Sequence, residues 1–360
     1  MRNVGKGKRV KSDVGYSLAR QVKVMLRNRR LLFIFACMAA PFLFIGLWLA
    51  FNLTVGLSLL IFGIALLGFS AEKAVEHSVK IASALGVPPL MIGLIVVSLG
   101  TDFPEITNSI ISSALSHGDI NVGDSFGSIL AQMTLILGLL ALFGGTFKVR
   151  REEITIMGAC EVLALIAAVS MMEKGYITWM NAFFLVASWP IFMLITRNVM
   201  KKPSLAIPAK SRISEHFALA LAGFVGVAGG SFVVIESVIA LSSVLRIPEY
   251  FISFFIVAIG TSLPELVVDL TAIRRRQYEI AIGDAIGSSI VDAGFSIGIG
   301  PLFFGRITVS GGLAETTGLY ALLCSIIVIL TLALREKLDK KAGILFIILY
   351  LFAYTTLYVH

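Results

Sequence analysis

The chain has 360 residues, of which 57% are hydrophobic and only 14% carry a charge, and its mean hydropathy is +0.92. A soluble domain is usually about a quarter charged. The composition therefore excludes a soluble globular protein and predicts an all-α polytopic membrane protein with no room for a separate soluble domain. The net charge of +8 alone would suit a nucleic-acid partner. The basic residues instead lie mostly in the segments between apolar stretches, where they indicate the orientation of a membrane protein.

Residues 1–30 form a predicted basic cytoplasmic tail that contains ten Lys and Arg residues. The apolar run that follows, 31–52, is predicted to be an extra N-terminal transmembrane helix. A cleaved signal peptide is the competing interpretation of this region. We favour a retained helix because the run is longer than a typical signal-peptide core and no small-x-small cleavage site follows it.

Eleven apolar stretches are each long enough to cross a hydrocarbon core of about 30 Å. The predicted spans are 31–51, 54–75, 88–115, 120–145, 155–172, 177–196, 215–243, 248–272, 280–304, 311–334 and 342–358. If they alternate from a cytoplasmic N-terminus, 27 of the 30 basic residues lie inside, and only Lys174, Arg246 and Arg306 lie outside. This asymmetry predicts a cytoplasmic N-terminus and an extracellular C-terminus, and we expect the membrane to be the plasma membrane.

A pair of motifs recurs at a constant offset of 160 residues. "GTDFPE" at 100–105 is followed by "INVGDSFGSILAQ", and "GTSLPE" at 260–265 is followed by "IAIGDAIGSSIVD". The repeats are predicted to occupy 54–200, with its motif at 93–138, and 215–358, with its motif at 253–298, joined by a cytoplasmic linker at 201–214. Five spans per repeat make the second repeat inverted, which is typical of secondary transporters with a site near the midplane.

Each hexapeptide offers several oxygen ligands within about one helical turn. Thr101 and Glu105 share a helix face, as do Thr261 and Glu265. Pro104 and Pro264 have no N–H, so the carbonyl oxygens of Gly100 and Gly260, four residues earlier, lose their usual helical hydrogen-bond partners. The later segments add the polar pairs Ser128 with Gln132 and Ser288 with Asp292. Such a cage of oxygens suits a hard cation such as Ca²⁺.

Other polar and reactive residues have simpler interpretations. Asp124 and Asp284 each follow a glycine at a predicted helix start, which favours N-capping. Asp269 is interpreted as approaching the arginines at 274–276. The three cysteines all fall within spans, a pattern that predicts neither a disulfide framework nor a zinc site: they are Cys37, Cys160 and Cys324.

The two motif pairs resemble the alpha-repeats of the calcium/cation antiporter superfamily and are closest to the prokaryotic sodium/calcium exchangers. The resemblance covers about residues 54–358. It implies an inverted-repeat exchanger fold of 5+5 transmembrane helices, to which the N-terminal helix is an addition. It also implies two long gating helices at 54–75 and 215–243, and exchange of cytosolic Ca²⁺ for extracellular Na⁺ by alternating access.

By position, the resemblance implies a set of cation-binding side chains and backbone oxygens. It consists of Glu105, Glu265, Asp292, Thr101, Thr261, Ser128, Ser288, Gln132, Ser98 and Ala258, and we add the repeat-related pair Asp102 and Ser262. The expected partners are the lipid bilayer and inorganic cations, and no nucleic acid. No cofactor is expected, and one copy of the chain is expected to suffice.

The sequence also departs from the family pattern. Asp102 replaces a usual serine, Gln132 replaces a usual asparagine, and "GD" replaces "GN" at Asp124 and Asp284. With Asp102 the cage could carry −4 instead of −3. Since like charges buried together repel one another, such a site should hold a proton, an additional cation or a strongly charged divalent ion.

The extra acid keeps alternative functions open. The runner-up has the same fold but uses H⁺ as the coupling ion, transports Mg²⁺, or both. A cation channel is a remote alternative, which the inverted repeats with interrupted helices argue against. An intramembrane hydrolase would need a nucleophile paired with a His or Lys at depth in the membrane, and none of the four His residues is expected to be buried in a motif. We therefore predict a transporter and not an enzyme.

Overall fold

The structure is a computed structural model that describes residues 29–84, 98–199, 213–274, 276 and 278–357. Residue contacts divide the chain into two units, 1–55 and 56–360, and the candidate site lies wholly within the second. The predicted tail at 1–30 falls outside the described residues except for its last two positions, and the predicted linker at 201–214 falls outside them up to residue 212.

The described part of the chain is almost entirely helical. The first half contains α1 (Arg29–Ala84), α2 (Ser98–Thr101), α3 (Phe103–Ala114), α4 (Gly118–Leu130), a π-helical segment π1 (Ala131–Ile136), α5 (Leu137–Gly144), α6 (Arg151–Met172) and α7 (Trp179–Val199). The second half contains α8 (Ile213–Leu245), α9 (Glu249–Ile252), π2 (Ser253–Val257), α10 (Ala258–Thr261), α11 (Leu263–Arg274), α12 (Tyr278–Val291), π3 (Asp292–Ser296), α13 (Ile297–Phe304), α14 (Gly311–Arg335) and α15 (Lys340–Leu357).

Eight helical stretches among the described residues are long and apolar enough to cross a membrane, which confirms the predicted class of polytopic helical membrane protein. They are Asn52–Ser78, Gly118–Gly144, Arg151–Met172, Trp179–Thr196, Ile213–Leu245, Glu249–Arg274, Ala281–Phe304 and Gly311–Arg335. Of the other predicted spans, 31–51 and 54–75 both fall on the single helix α1, 88–115 includes residues outside the described part, and 342–358 falls mainly on α15.

Within the described ranges, four two-residue strands form two antiparallel ribbons that join the halves of the chain. The strand β1 (Phe147–Lys148) pairs with β4 (Lys337–Leu338), and β2 (Tyr176–Ile177) pairs with β3 (Ile307–Thr308). Each ribbon joins segments that the predicted topology puts on one side of the membrane. The first ribbon lies among residues predicted to be cytoplasmic, and the second lies among residues predicted to be extracellular.

The two hexapeptides interrupt their helices in the same way. Asp102 lies between α2 and α3, and Ser262 lies between α10 and α11. The carbonyl oxygen of each residue accepts a hydrogen bond from the first turn of the next helix. Ile106 N donates to Asp102 O at 2.9 Å, and Leu266 N donates to Ser262 O at 3.3 Å. The proline that follows each break favours a first helical turn, since its missing N–H would have no partner there.

Close backbone packing brings the interrupted helices against α4. A Cβ atom built on Gly127 would overlap the carbonyl oxygen of Phe254 in π2 and the side chain of Ala258 in α10. Only glycine therefore allows α4 to approach the second hexapeptide this closely. The approach brings polar residues from both halves of the chain into one buried region.

The helices α1 and α8 run antiparallel along a seam of small residues. Gly230 lies against Leu67, Gly223 lies against Ala74, and Gly63 lies against Val234, so residue numbers rise along one helix as they fall along the other. Near one end of the seam, His77 Nδ1 and His216 Nδ1 are 2.9 Å apart.

Candidate cation site

Three carboxyl groups from the two hexapeptides meet in the buried centre of the second unit. One oxygen each of Asp102, Glu105 and Glu265 lies within 4.8 Å of the other two. All three side chains are at most 1% exposed. The breaks in the two helices position these acids, because Asp102 occupies the first break and each glutamate lies in the first turn after a break.

The oxygens of these acids find few hydrogen-bond donors. Among the described residues, both oxygens of Asp102, both of Glu265 and Oε2 of Glu105 have no hydrogen-bond partner. A buried carboxylate without donors is costly, so these atoms require either a proton or a cation. Their number and their hard oxygen chemistry fit a cation such as Ca²⁺.

Hydroxyl and carbonyl oxygens complete one side of the cluster. Ser128 Oγ lies 3.3 Å from Glu105 Oε1, 3.3 Å from Thr261 Oγ1 and 3.5 Å from the carbonyl oxygen of Ala258. Thus a serine of α4 joins the acid of the first hexapeptide to the hydroxyl and backbone of the second. All of these residues were predicted as site residues, and the structure brings them together.

The residues Gln132 and Asp292 form a second polar contact next to the cluster. Gln132 Nε2 donates to Asp292 Oδ2 at 3.1 Å, and Gln132 Oε1 accepts from Ser289 Oγ at 3.0 Å. Gln132 lies in π1 and Asp292 begins π3. π-Helical turns frequently occur at functional sites because they redirect side chains locally.

For most of the remaining predicted residues, the structure gives burial or a backbone contact. Thr101, Ser262 and Ser288 are all buried. The carbonyl oxygen of Ala258 accepts from Thr261 Oγ1 at 3.2 Å as well as facing Ser128. The side chain of Ser98 lies outside the described residues. Whether any of these groups binds an ion stays a prediction.

The interpretation of Asp124 and Asp284 as helix N-caps is wrong. Asp124 lies in the interior of α4, where Oδ1 accepts from Thr261 Oγ1 at 2.9 Å and Oδ2 accepts from Asn108 Nδ2. Asp284 likewise lies inside α12 and is buried. Neither preceding glycine marks a helix start. A Cβ on Gly123 would lie 2.7 Å from the carbonyl oxygen of Tyr250, so Gly123 permits close helix packing, whereas nothing described lies within 4 Å of a Cβ on Gly283.

The interpretation of Asp269 as a partner of the arginines at 274–276 is also wrong. Its side chain is completely buried, and neither of its carboxylate oxygens has a hydrogen-bond partner among the described residues. It therefore extends the acidic region by one helical turn beyond Glu265. The sequence signal was available, since an acid one turn from a midplane glutamate shares its helix face.

Among the side chains that the structure describes, the acidic region contains no basic group. Seven buried carboxyl groups belong to it: Asp102, Glu105, Asp124, Glu265, Asp269, Asp284 and Asp292. Across the described ranges, no Lys, Arg or His side chain is buried. Cations or protons from outside the protein must therefore balance most of this charge.

Sequence reasoning missed two polar groups that the structure reveals. Asn108, one turn after Glu105, donates to Asp124. Glu161 is completely buried in α6 near Ser325 of α14 and stands apart from the acidic region. Its position inside a predicted span could have identified it, since acids within transmembrane segments are rare.

Comparison with known proteins gives matches over most of the chain. Residues 55–197 and 215–359 match the family described as sodium/calcium exchanger protein. An uncharacterized membrane protein of Methanocaldococcus jannaschii is 29% identical over 85% of this chain and 99% of its own. The sodium/calcium exchanger MaX1 of Methanosarcina acetivorans is 27% identical over 83% of this chain and 97% of its own.

A solved structure agrees with these sequence matches. The sodium-calcium exchanger NCX_Mj, soaked with Na⁺ and Sr²⁺, superposes with a TM-score of 0.61 at 27% identity, covering 84% of this chain and 98% of that one. The matches confirm the resemblance inferred from the two hexapeptides. They also confirm the helical exchanger architecture at the level of the overall fold.

Proposed function

The chain belongs to the sodium/calcium exchanger family and is thus a membrane cation antiporter, and on that premise we propose that it exports Ca²⁺ in exchange for Na⁺ by alternating access. The observation that carries the proposal is the convergence of Asp102, Glu105 and Glu265, with one oxygen of each within 4.8 Å of the others. These acids come from both halves of the chain, so a bound ion would contact both halves at once.

The oxygen inventory supports Ca²⁺ as the transported ion. Ca²⁺ takes six to eight oxygen ligands at about 2.3–2.6 Å in flexible geometry. Glu105 and Glu265 would bind the ion directly, with oxygens of Ser128, Thr261 and Ala258 completing its shell. The other proposed ligands would serve adjacent Na⁺ positions or the edge of the cage: Thr101, Ser288, Ser262, Gln132, Asp292 and the backbone oxygen of Ser98.

Alternating access would expose this site to each side of the membrane in turn. We propose inverted repeats at 54–200 and 215–358, a cytoplasmic N-terminus and an extracellular C-terminus in the plasma membrane. The seam between α1 and α8 supports movement of these helices, since small residues leave few interlocking side chains along it. The site is contained in one chain, so a monomer would suffice for transport.

A second candidate is proton coupling, and the position of Asp102 favours it. A fourth acid close to Glu105, Glu265 and Asp292 adds negative charge that one Ca²⁺ does not balance. Proton uptake by the empty cage would offset that charge and could replace part of the Na⁺ exchange. A hydrated Mg²⁺ is the corresponding alternative for the transported ion, since Mg²⁺ sheds its water reluctantly.

Proteoliposome transport tests the proposal. Vesicles preloaded with Na⁺ should take up ⁴⁵Ca²⁺, vesicles with an imposed pH gradient test proton coupling, and Mg²⁺ replaces Ca²⁺ in a third set. Glu265→Gln should abolish uptake, whereas Glu161→Gln removes a buried acid outside the acidic region and should retain it. Ca²⁺ flux that is insensitive to every counter-ion gradient would contradict antiport.

A further inference from the structure

Asp124 differs from the clustered acids because both of its oxygens are engaged by protein donors. Its side chain is 1% exposed. Thr261 Oγ1 donates to Oδ1 at 2.9 Å, and Asn108 Nδ2 donates to Oδ2. By contrast, neither oxygen of Asp102 or Glu265 has a hydrogen-bond partner among the described residues. The clustered acids thus have oxygens to offer an ion, whereas Asp124 holds side chains that come from two other helices.

The Thr261 hydroxyl has one proton and three acceptors within reach. The nearest is Asp124 Oδ1 at 2.9 Å, and the carbonyl oxygens of Val257 and Ala258 both lie at 3.2 Å. Hydrogen bonds to a carboxylate are shorter and stronger than those to a neutral oxygen, so Asp124 takes the proton. A hydroxyl oxygen accepts or binds through its two lone pairs, and Asp124 leaves both of them to other partners.

The same hydroxyl also faces the cation cage, but more loosely. Ser128 Oγ lies 3.3 Å from Thr261 Oγ1 and 3.3 Å from Glu105 Oε1. Both separations exceed the range of about 2.5–3.0 Å that is usual between hydroxyl donors and oxygen acceptors. The Thr261 side chain is therefore anchored by Asp124 and not by the cage that it lines.

These contacts form a connected path between the two hexapeptide helices. It runs from Glu105 and Asn108 on α3, through Ser128 and Asp124 on α4, to Thr261 at the end of α10. Asp124 and Ser128 are four residues apart and so share a face of α4. Because α4 presents both residues to Thr261, the acid can direct the hydroxyl proton away from the serine and the cage.

We propose that Asp124 is a positioning residue, which fixes the direction of the Thr261 hydroxyl and so strengthens cation binding by the cage without binding the ion itself. This inference rests on the proposed function and deepens it, since Asp124 lies outside the proposed ligand set. An amide can serve the same purpose. An asparagine at this position keeps an oxygen for Thr261, and its amino group can donate to Asn108 Oδ1, which has no hydrogen-bond partner among the described residues.

Equilibrium binding of ⁴⁵Ca²⁺ to the purified full chain tests the positioning role. Asp124→Leu removes the acceptor at similar side-chain size and should weaken Ca²⁺ binding by about tenfold. Asp124→Asn restores an acceptor without the charge and should recover most of that loss. Asn121→Leu is the matched control on α4, since it removes a buried hydrogen bond to the carbonyl oxygen of Ile297 and should bind as wild type does.

A double-mutant cycle with Thr261→Val separates positioning from a structural role. If Asp124 acts through the Thr261 hydroxyl, Asp124→Leu should add little to the loss of Ca²⁺ binding in Thr261→Val. Melting temperatures in detergent are measured for every variant, so that a loss of stability is not taken for a loss of affinity. If Asp124→Leu does not fold, Asp124→Ala takes its place, because the smaller side chain cannot overpack the site.

Three outcomes would overturn the inference. If Asp124→Asn binds Ca²⁺ as weakly as Asp124→Leu, the charge of Asp124 acts on the ion and its hydrogen bond does not. If the losses in Asp124→Leu and Thr261→Val add, Asp124 does not act through Thr261. If Asp124→Leu binds as wild type does, Asp124 has no part in binding. Wild type still binds Ca²⁺ in all three, whereas a wild type that binds none would overturn the proposed function and the positioning role together.

Discussion

Gln132 and Asp292, which occupy equivalent positions in the two halves of the chain, bond directly to each other through Nε2 and Oδ2 at 3.1 Å. The hydrogen bond therefore joins the two halves of the chain beside the candidate cation site. Gln132 is held in turn by Ser289, which donates to its Oε1 at 3.0 Å. Through this chain the amide fixes the direction in which Asp292 presents its other oxygen.

Shortening Gln132 should loosen this contact. Gln132→Asn removes one methylene group, so its amide no longer reaches Asp292, and a buried oxygen loses its donor at a cost of about 1–3 kcal/mol. We expect a lower melting temperature in detergent and weaker ⁴⁵Ca²⁺ binding. Ser289→Ala is the matched control, because it removes one hydrogen bond but leaves the Gln132–Asp292 contact. Equal behaviour of the two variants would argue against an orienting role for Gln132.

Making the first hexapeptide match the second should change the coupling ion. Asp102→Ser removes one of the three clustered carboxyl groups and restores the Thr-Ser order of the second motif. We expect Na⁺-driven Ca²⁺ uptake to persist while any pH-gradient-driven component falls. Counter-ion stoichiometry in proteoliposomes measures the change, and Asp119→Asn is a control on an acid that instead holds Ser310. An unchanged ion preference and pH dependence would place Asp102 outside the ion-binding set.

The sequence allowed prediction of the fold class and of several residues that meet in the candidate site, for a specific reason. Polar residues such as Glu105 and Glu265 are costly inside apolar spans, so their recurrence at a fixed offset pointed to a shared site. The role of Asp124 was not predictable, because its donors Asn108 and Thr261 come from other helices. The complete burial of Asp269 likewise depends on how α11 packs against other helices, which no local pattern encodes.

The seam between α1 and α8 should be sensitive to side-chain size on one helix face alone. A Cβ atom on Gly230 would lie 2.9 Å from the backbone nitrogen of Leu67, whereas nothing described lies within 4 Å of a Cβ on Gly229. Gly230→Ala should force the helices apart and destabilise the protein by about 1–3 kcal/mol. Gly229→Ala should be neutral or stabilise α8 by up to about 1 kcal/mol. Thermal unfolding in detergent compares the two, and an equal effect would show that the seam tolerates separation.

The histidine contact at the end of the same seam should depend on pH. His77 Nδ1 and His216 Nδ1 are 2.9 Å apart, which requires one nitrogen to donate and the other to accept. A hydrogen on both Nδ1 atoms at once would leave no acceptor and abolish the contact. The neighbouring Glu76 carboxylate is not available to replace the lost contact, because it already pairs with Lys73 at 3.0 Å and with Lys80 at 2.6 Å.

Distance measurement between spin labels on α1 and α8 should therefore show separation near this end as the pH falls. His117 provides the contrasting case, because its Nδ1 lies 2.7 Å from a carboxylate oxygen of Glu249 and not from a second imidazole. His77→Gln should remove the pH-dependent change, and His117→Gln should not. Persistence of the change in His77→Gln would assign it to another group.

Asp339 should stabilise the start of α15 in a pH-dependent manner. Its Oδ1 accepts from Ala342 N at 3.0 Å, and its Oδ2 lies 2.6 Å from Arg335 Nη2 and 3.5 Å from Lys337 Nζ. The backbone N–H of Ala342, together with the charges of Arg335 and Lys337, lowers the pKa of Asp339 below its usual value. Because the folded pKa is the lower one, the stabilisation is fully present above the usual aspartate pKa and is lost as the pH falls through the folded pKa.

Removing this cap should cost about 1 kcal/mol at neutral pH. We expect Asp339→Ala to lower the melting temperature at pH 7, and the difference from wild type to shrink in acid below the usual aspartate pKa of about 3.9. Glu336→Ala alters an acid three residues earlier that caps no helix by its side chain, and it should show no such pH-dependent loss. A difference between wild type and Asp339→Ala that is constant from pH 7 to acid would attribute the effect to packing, because packing does not titrate whereas the cap does.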